Sequence, residues 1–162
     1  MKDRFKLDLG DYLPYLVNRV GAIIAERFGH EALAANHLSI AMWRVMAVLA
    51  SKGAQRQIDL AALTSMEAST LSRLVTRLVR LRLVTRERST RSDREVAVRL
   101  SAKGSALVAR LIPIARDYEA TATSGLSSDE IVVLKHCLRR MYGNMKSRSV
   151  QQPGNGRTVR RA

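Results

Sequence analysis

Apolar positions along this chain recur at spacings that change from block to block, and each change marks an element. From about Asp11 to Ala35, Tyr12, Leu13, Leu16, Val20, Ile23, Ile24 and Phe28 fall three or four residues apart. That period predicts one long helix whose apolar stripe it cannot bury alone. A break at Asn36-His37 follows, and Ser39 is a natural N-cap for a helix from Ile40 to about Ser51, ended by Gly53. Gln55 to Ile58 reads as a short edge strand, Asp59 to Thr64 as a short helix and Ser65-Met66-Glu67 as a turn.

The next block is the most regular. Leu71, Leu74, Val75, Leu78 and Leu81 make one apolar stripe, while Ser69, Ser72, Arg73, Thr76, Arg77 and Arg80 collect on the opposite side, with Thr70 beside them in the first turn. The period then drops to two. Val84 to Arg88 forms one strand and Glu95 to Leu100 a second, with Val96, Val98 and Leu100 expected inward and Glu95, Ala97 and Arg99 outward. Between them runs the polar loop Ser89-Thr90-Arg91-Ser92-Asp93-Arg94. Short helix, turn, amphipathic helix and ribbon together read as a winged helix-turn-helix, a mainly α fold with a small β-wing.

After the wing, Ser101 caps a long helix carrying Leu107, Val108, Leu111 and Ile112, with Pro113 expected to kink it. Ser127-x-x-Glu130 is a capping box opening a last helix with Ile131, Leu134, Leu138 and Met141 on one side and Cys137 expected in the packing. The first, penultimate and last long helices are expected to form a helical dimerisation bundle. The organisation expected is therefore a helical dimerisation region at 1–36 and 104–146, a winged helix-turn-helix at 37–103, and a basic tail at 147–162 whose composition predicts disorder.

Charge changes the picture from fold to partner. The net charge of +14 points to a polyanion, and ten Arg/Lys against Glu87, Asp93 and Glu95 between Arg73 and Lys103 put about half of it on the helix and ribbon. Hydroxyls and guanidinium groups on Ser69, Thr70, Ser72, Arg73, Thr76, Arg77 and Arg80 suit base edges and phosphates of a major groove, and Arg88, Arg91 and Arg94 suit a wing along a minor groove. A carboxylate beside phosphates is repelled, so Asp93 is assigned a structural role, pairing with Arg77 or Arg94. Aromatic residues make up only 4% of the chain, which disfavours stacking platforms for single strands and leaves double-stranded DNA as the partner. No apolar run approaches the ~20 residues that span a bilayer, and the N-terminal segment has no hydrophobic signal core, so the expectation is a cytoplasmic protein without a membrane partner. The single cysteine excludes an internal disulfide framework. His30, His37 and His136 belong to no spaced ligand set, and no glycine-rich phosphate loop occurs, so no metal, cofactor or enzymatic activity is expected.

The run Asp93-Arg94-Glu95-Val96-Ala97-Val98-Arg99-Leu100-Ser101-Ala102-Lys103-Gly104 resembles the wing signature of the MarR family of bacterial transcription regulators, in which Asp-x-Arg leads into a strand and Leu-Thr/Ser-x-x-Gly opens the next helix. Leu38 to Val45 is similar to the family's second helix and Ser127 to Glu130 to the start of its last, so the resemblance spans about residues 10 to 146. Arg82 stands where the family usually has Gly at the end of the recognition helix. A left-handed backbone there costs on the order of 1 kcal/mol. The resemblance implies a homodimeric regulator, most often a repressor, on a pseudo-palindromic operator. It also implies a small-ligand cleft where head and bundle join. By itself Trp43 reads as a core tryptophan; within that cleft Tyr12, Tyr15, His37, Ser39, Trp43 and Arg44 would receive an aromatic carboxylate or its thioester. The alternative is an effector-blind architectural DNA-binding protein.

Overall fold

The computed structural model describes residues 7–89 and 92–150, with side chains except at 88, 89, 92–95, 149 and 150. The chain forms two compact units, the first ending at Ala122 and the second beginning at Thr123.

In the first unit α1 (Leu13–Phe28) opens with Pro14 in its first turn and passes into a π-helical turn, Gly29–Leu33, and a 3-10 turn, Ala34–Asn36. The single helix expected to Ala35 thus changes its hydrogen-bonding register twice. Side-chain period alone does not see this, because the wider turn keeps the chain helical while rotating the neighbours Ala32 and Leu33 both into the core. α2 (Ile40–Lys52) follows. Its N-cap Ser39 accepts from the Met42 N–H at 3.3 Å, and Gly53, at φ 74°, ends it.

β1 (Gln55–Arg56) is two residues shorter than the expected strand, because Gln57 and Ile58 already belong to α3 (Gln57–Thr64). Arg56 grips Asp59 with two hydrogen bonds, 2.7 and 3.1 Å, and this holds the Asp59 carboxyl below its usual range. α4 (Ala68–Arg80) comes next, then β2 (Val84–Ser89), β3 (Ser92–Leu100) and α5 (Ala102–Ala122), which continues through Pro113 as one helix. The sheet order is β1-β3-β2, all antiparallel. β1 covers only Val98 and Ala97, so Val98 is buried while Val96, expected inward, is exposed beyond its reach.

The core joins α2, α4, the base of the wing and the N-terminal half of α5. Leu71, Val75 and Leu78 from α4 meet Met42, Val45 and Met46 from α2, Leu60 from α3, Val84 and Val98 from the sheet, and Leu107, Val108 and Leu111 from α5. Each such aliphatic side chain contributes about 1.5–3 kcal/mol on burial. The helix expected only in a bundle is therefore anchored by its first half in the core of the reading head.

Three helix ends in this unit share one design. Arg82 is left-handed (φ 61°); its N–H donates to the Val79 carbonyl (2.9 Å) and the Leu83 N–H to the Leu78 carbonyl (3.0 Å). His37 (φ 56°) repeats the pair onto Ala34 and Leu33, and Ser65 (φ 54°) onto Ala62 and Ala61. These are Schellman turns with a non-glycine residue in the left-handed place. Each bears a strain of roughly 1–2 kcal/mol, held because the following Leu38, Met66 or Leu83 packs back on the core.

The second unit holds α6 (Ser128–Val150). Its capping box is complete: Glu130 accepts from the Ser127 N–H and hydroxyl at 2.7 and 2.8 Å, and the Ser127 hydroxyl accepts from the Glu130 N–H at 3.3 Å. Those bonds hold the Glu130 carboxyl below its usual range. Cys137 is exposed, not packed, as are Val133, Leu134 and Leu138.

A Cβ on Gly104 would stand 1.9 Å from the Leu83 carbonyl oxygen. Gly104→Ala is expected to lower stability by about 1–3 kcal/mol, since backbone must move. Arg82→Gly is expected to raise it by about 0.5 kcal/mol or more, because relief of the left-handed strain (~1–2 kcal/mol) exceeds the freedom gained by the unfolded chain (~0.4–1 kcal/mol). Urea midpoints at one fixed protein concentration measure both.

Candidate nucleic-acid interface

α4 divides as its sequence requires. Leu71, Val75 and Leu78 are fully buried, and Ser69, Thr70, Ser72, Arg73, Arg77 and Arg80 lie on the other side, open to solvent in whole or in part. None of the three arginines is in an ion pair with another described residue. Thr76 differs: it is half-buried, and its hydroxyl donates to the Ser72 carbonyl (2.9 Å) and accepts from Arg86 Nη2 (3.0 Å). Arg86 is a residue the sequence reading missed. Strand alternation carries the signal, since Arg86 lies on the same face of β2 as buried Val84 and so reaches across to α4. Lower on the wing, Arg99 pairs with Glu87 at 3.0 Å, so this arginine spends its charge within the sheet. Arg91, and the side chains of Arg88, Asp93 and Arg94, lie outside the described residues.

The turn that ends α4 is fixed from the far side of the wing. The Ser101 N–H donates to the Leu83 carbonyl (3.0 Å), its hydroxyl donates to the Arg82 carbonyl (2.7 Å) and accepts from the Gly104 N–H (3.0 Å), and Lys103 Nζ donates to the Leu81 carbonyl (3.2 Å). Orientation of α4 against the wing thus rests on the first turn of α5.

Among the cavities that open in the first unit, two adjoin α5. One, of about 520 Å³, lies between α1 and α5 and is lined by Ile23, Ile24, Arg27, Glu31, Asp117 and Tyr118 among others. The Tyr118 hydroxyl donates to Glu31, and its ring meets Phe28 edge-on at 5.5 Å; Phe28 in turn meets Trp43 at 5.4 Å. The other, of about 350 Å³, is lined by His37, Leu81, Leu83, Lys103, Leu107 and Arg110 among others. Of the six residues expected in a ligand cleft, His37 lines this second cavity and the other five line neither. Trp43 is half-buried against the core, Ser39 is a helix cap, Arg44 and Tyr12 are exposed, and the Tyr15 ring lies 5.7 Å beneath the Arg19 guanidinium. Among the described residues no group of three His, Cys, Asp or Glu side chains comes together, and no single helix is long and apolar enough to cross a membrane.

The MarR family profile matches residues 38–96. A MarR-family transcriptional regulator from Silicibacter pomeroyi is 31% identical and superposes with a TM-score of 0.75 over 84% of this chain and 91% of its own. The chain belongs to the MarR family. It is a winged-helix DNA-binding transcription regulator, and its wing departs from the family's Asp-x-Arg in having Asp93 followed directly by Arg94. BpsR of Bordetella bronchiseptica, solved to explain regulation of its DNA binding by 6-hydroxynicotinic acid, is 25% identical over 80% of this chain and 97% of its own, with a TM-score of 0.71. A cysteine-to-serine mutant of E. coli MarR, in complex with operator DNA, shares the fold at 21% identity, covering 84% and 99% of the two chains with a TM-score of 0.72. No curated protein matches this sequence.

Within this MarR-family chain the Tyr118–Glu31 bond raises the phenol above its ordinary pKa, chiefly because ionised Tyr118 would lose that bond and face the carboxylate. Difference titration of wild type against Tyr118→Phe is expected to place this phenol above the ordinary tyrosine value, and Glu31→Gln to bring it back down. The contribution to stability is whole below the unfolded pKa and is lost as pH rises through the folded one.

Proposed function

We propose that this MarR-family regulator is a cytoplasmic homodimer that represses transcription by binding a pseudo-palindromic operator in double-stranded DNA and lets go when a small aromatic ligand binds. The observation that carries the DNA reading is the outer face of α4: hydroxyls of Ser69, Thr70 and Ser72 at its N-terminal end and guanidinium groups of Arg73, Arg77 and Arg80 beyond. The helix N-terminus adds positive potential toward phosphates, and arginine reads guanine edges bidentately. Arg86, bound to Thr76 between helix and strand, is added to the proposed contact set, and Arg88, Arg91 and Arg94 keep their proposed place on the wing, with Asp93 as a structural partner. Uncovered apolar side chains on α1, Leu13, Leu16, Val20 and Ile23, and on α6, Val133, Leu134 and Leu138, support the dimer, because a monomer seldom leaves so many in water. The dimerisation region at 1–36 and 104–146, the head at 37–103 and the basic tail at 147–162 remain the proposed division of labour.

Footprinting is expected to give one short site with two-fold symmetry; uniform coverage would favour the architectural alternative. Arg73→Ala is expected to weaken binding and relax discrimination by ~1–3 kcal/mol, and Arg94→Ala to weaken it equally on all sequences with a salt slope shallower by about one unit. Unchanged affinity in Arg94→Ala removes the wing from the interface.

For the ligand, the cavity between α1 and α5 replaces the residues first expected. Arg27 supplies the cation, Ile23 and Ile24 an apolar wall, and Asp117 an acceptor, since Glu31 is already engaged by Tyr118. An aromatic ring bearing a carboxylate and a hydroxyl or N–H donor fits that lining, and 6-hydroxynicotinic acid, which regulates BpsR, has this chemistry. Trp43, the one tryptophan, stands behind Phe28 and reports on the cavity. Hydroxylated aromatic acids are expected to change Trp43 fluorescence and reduce operator affinity together, with both effects lost in Arg27→Gln. A compound that does one without the other counts against the reading.

A further inference from the structure

Spacing along α4 puts Thr76 with the arginines, but its hydroxyl is already spent. A threonine hydroxyl has one proton to donate and two lone pairs. In Thr76 the proton goes to the Ser72 carbonyl at 2.9 Å, and one lone pair takes Arg86 Nη2 at 3.0 Å. No donor is left for the N7, O6 or O4 acceptors that a major groove presents. Position agrees with chemistry. At 100° per residue Ser69, Arg73, Arg77 and Arg80 form a ridge within about 80° of arc, and Thr76 stands about 60° to the side of Arg73, half-buried on the flank next to β2. Arg86 has the opposite balance. It is exposed, and its guanidinium has five N–H donors, of which Thr76 takes one. Among the described residues no carboxylate pairs with it: Glu87, its neighbour in sequence, lies on the other face of β2 and binds Arg99. The guanidinium therefore stands in the corner between α4 and β2, held at one nitrogen and open at the others.

We infer that Thr76 is a positioning residue and not a base reader: it holds the Arg86 guanidinium over the phosphate strand that separates the two grooves the head occupies. The inference rests on the DNA reading of α4 and the wing given above. A helix in a major groove and a wing in the adjoining minor groove straddle one sugar–phosphate strand, and the corner between α4 and β2 lies over that strand. Arg86 puts a cation in this corner. Held by Thr76, it has less side-chain freedom to lose on meeting a phosphate than an untethered arginine, and its planar fork suits two phosphate oxygens. Such a contact sets register and affinity on every sequence alike. Thr76 thus contributes to binding through Arg86 and adds nothing to the choice of base.

The test is a double-mutant cycle on the full-length protein, read as affinity for the footprinted operator and for its single-base variants. Thr76→Val removes the hydroxyl and keeps the shape and the β-branched side chain. It is expected to weaken binding roughly three- to tenfold on all these duplexes alike, the effect of one lost hydrogen bond, and Thr76→Ser to restore it. Arg86→Gln is expected to weaken binding with a salt slope shallower by about one unit, and adding Thr76→Val to it to cost nothing further. A second loss in that background overturns the inference, because Thr76 then acts without Arg86; a fault in folding shows itself in the same way. So does a loss in Thr76→Val confined to one base position, which makes Thr76 a reader, or an unchanged salt slope in Arg86→Gln. Arg73→Ala is the control. If it weakens binding and neither Thr76→Val nor Arg86→Gln does, the positioning role falls and the DNA reading of α4 stands; if none of the three weakens binding, that reading falls as well.

Discussion

The reading head depends on one close contact, the seat of the first turn of α5 on the turn that ends α4. Ser101 binds the Arg82 and Leu83 carbonyls, Lys103 binds the Leu81 carbonyl, and Gly104 brings the helix within 1.9 Å, measured from the place of a Cβ, of the Leu83 oxygen. Carbonyls at a helix end have no intrahelical donor, and here another helix supplies the donors. The Leu-Ser-x-x-Gly order thereby acquires a physical meaning. Serine provides a cap for its own helix and a donor for the neighbouring turn, and glycine is required by the space between two backbones, not by its backbone angles. Recognition helix, wing and α5 meet at this contact, so their mutual orientation is set there.

Much of this was legible in the sequence because it is local. The stripe of Leu71, Val75 and Leu78, the Ser39 cap and the Ser127–Glu130 box all follow from spacing within a few residues, and each is present; the left-handed backbone at Arg82 is the one that the family's usual glycine at this place would take. What was not legible is set by contacts distant in sequence. The π turn at Gly29–Leu33 answers to the core that receives Ala32 and Leu33, Val96 is exposed because β1 stops short of it, and Tyr118 meets Glu31 across 87 residues. The candidate DNA face was readable for the same reason the helix was. The cavities were not: five of the six residues expected in a ligand cleft line neither of the two beside α5, and Arg27, Glu31 and Asp117, which line one, carry no motif.

Charge between Arg73 and Lys103 is more selective than its total of ten arginines and lysines implies. Arg99 is cancelled by Glu87 at the stalk of the wing, and Arg86 is drawn toward Thr76, so strand and recognition helix are joined beside the outer guanidinium groups of α4. Exposed pairs of this kind add little to stability, about 0–1 kcal/mol. Their effect is on where positive charge remains unspent. Among the described residues Arg73, Arg77 and Arg80 have no ion-pair partner on the outer face of α4, which is the arrangement electrostatic steering toward a polyanion requires.

The two cavities lie on successive stretches of α5. Lys103, Leu107 and Arg110 line one; Ile114, Asp117 and Tyr118 line the other; and Pro113 stands between the two sets. Proline has no N–H to give to the carbonyl four residues earlier, here Ala109, and its ring crowds that carbonyl, so α5 has its weakest joint there. The half before the joint is seated in the core of the head through Leu107, Val108 and Leu111, and the half after it faces α1 through Ile114 and Tyr118. The half before the joint also carries Lys103, whose bond to the Leu81 carbonyl helps to seat α4, and the half after it carries the Tyr118 phenol that binds Glu31.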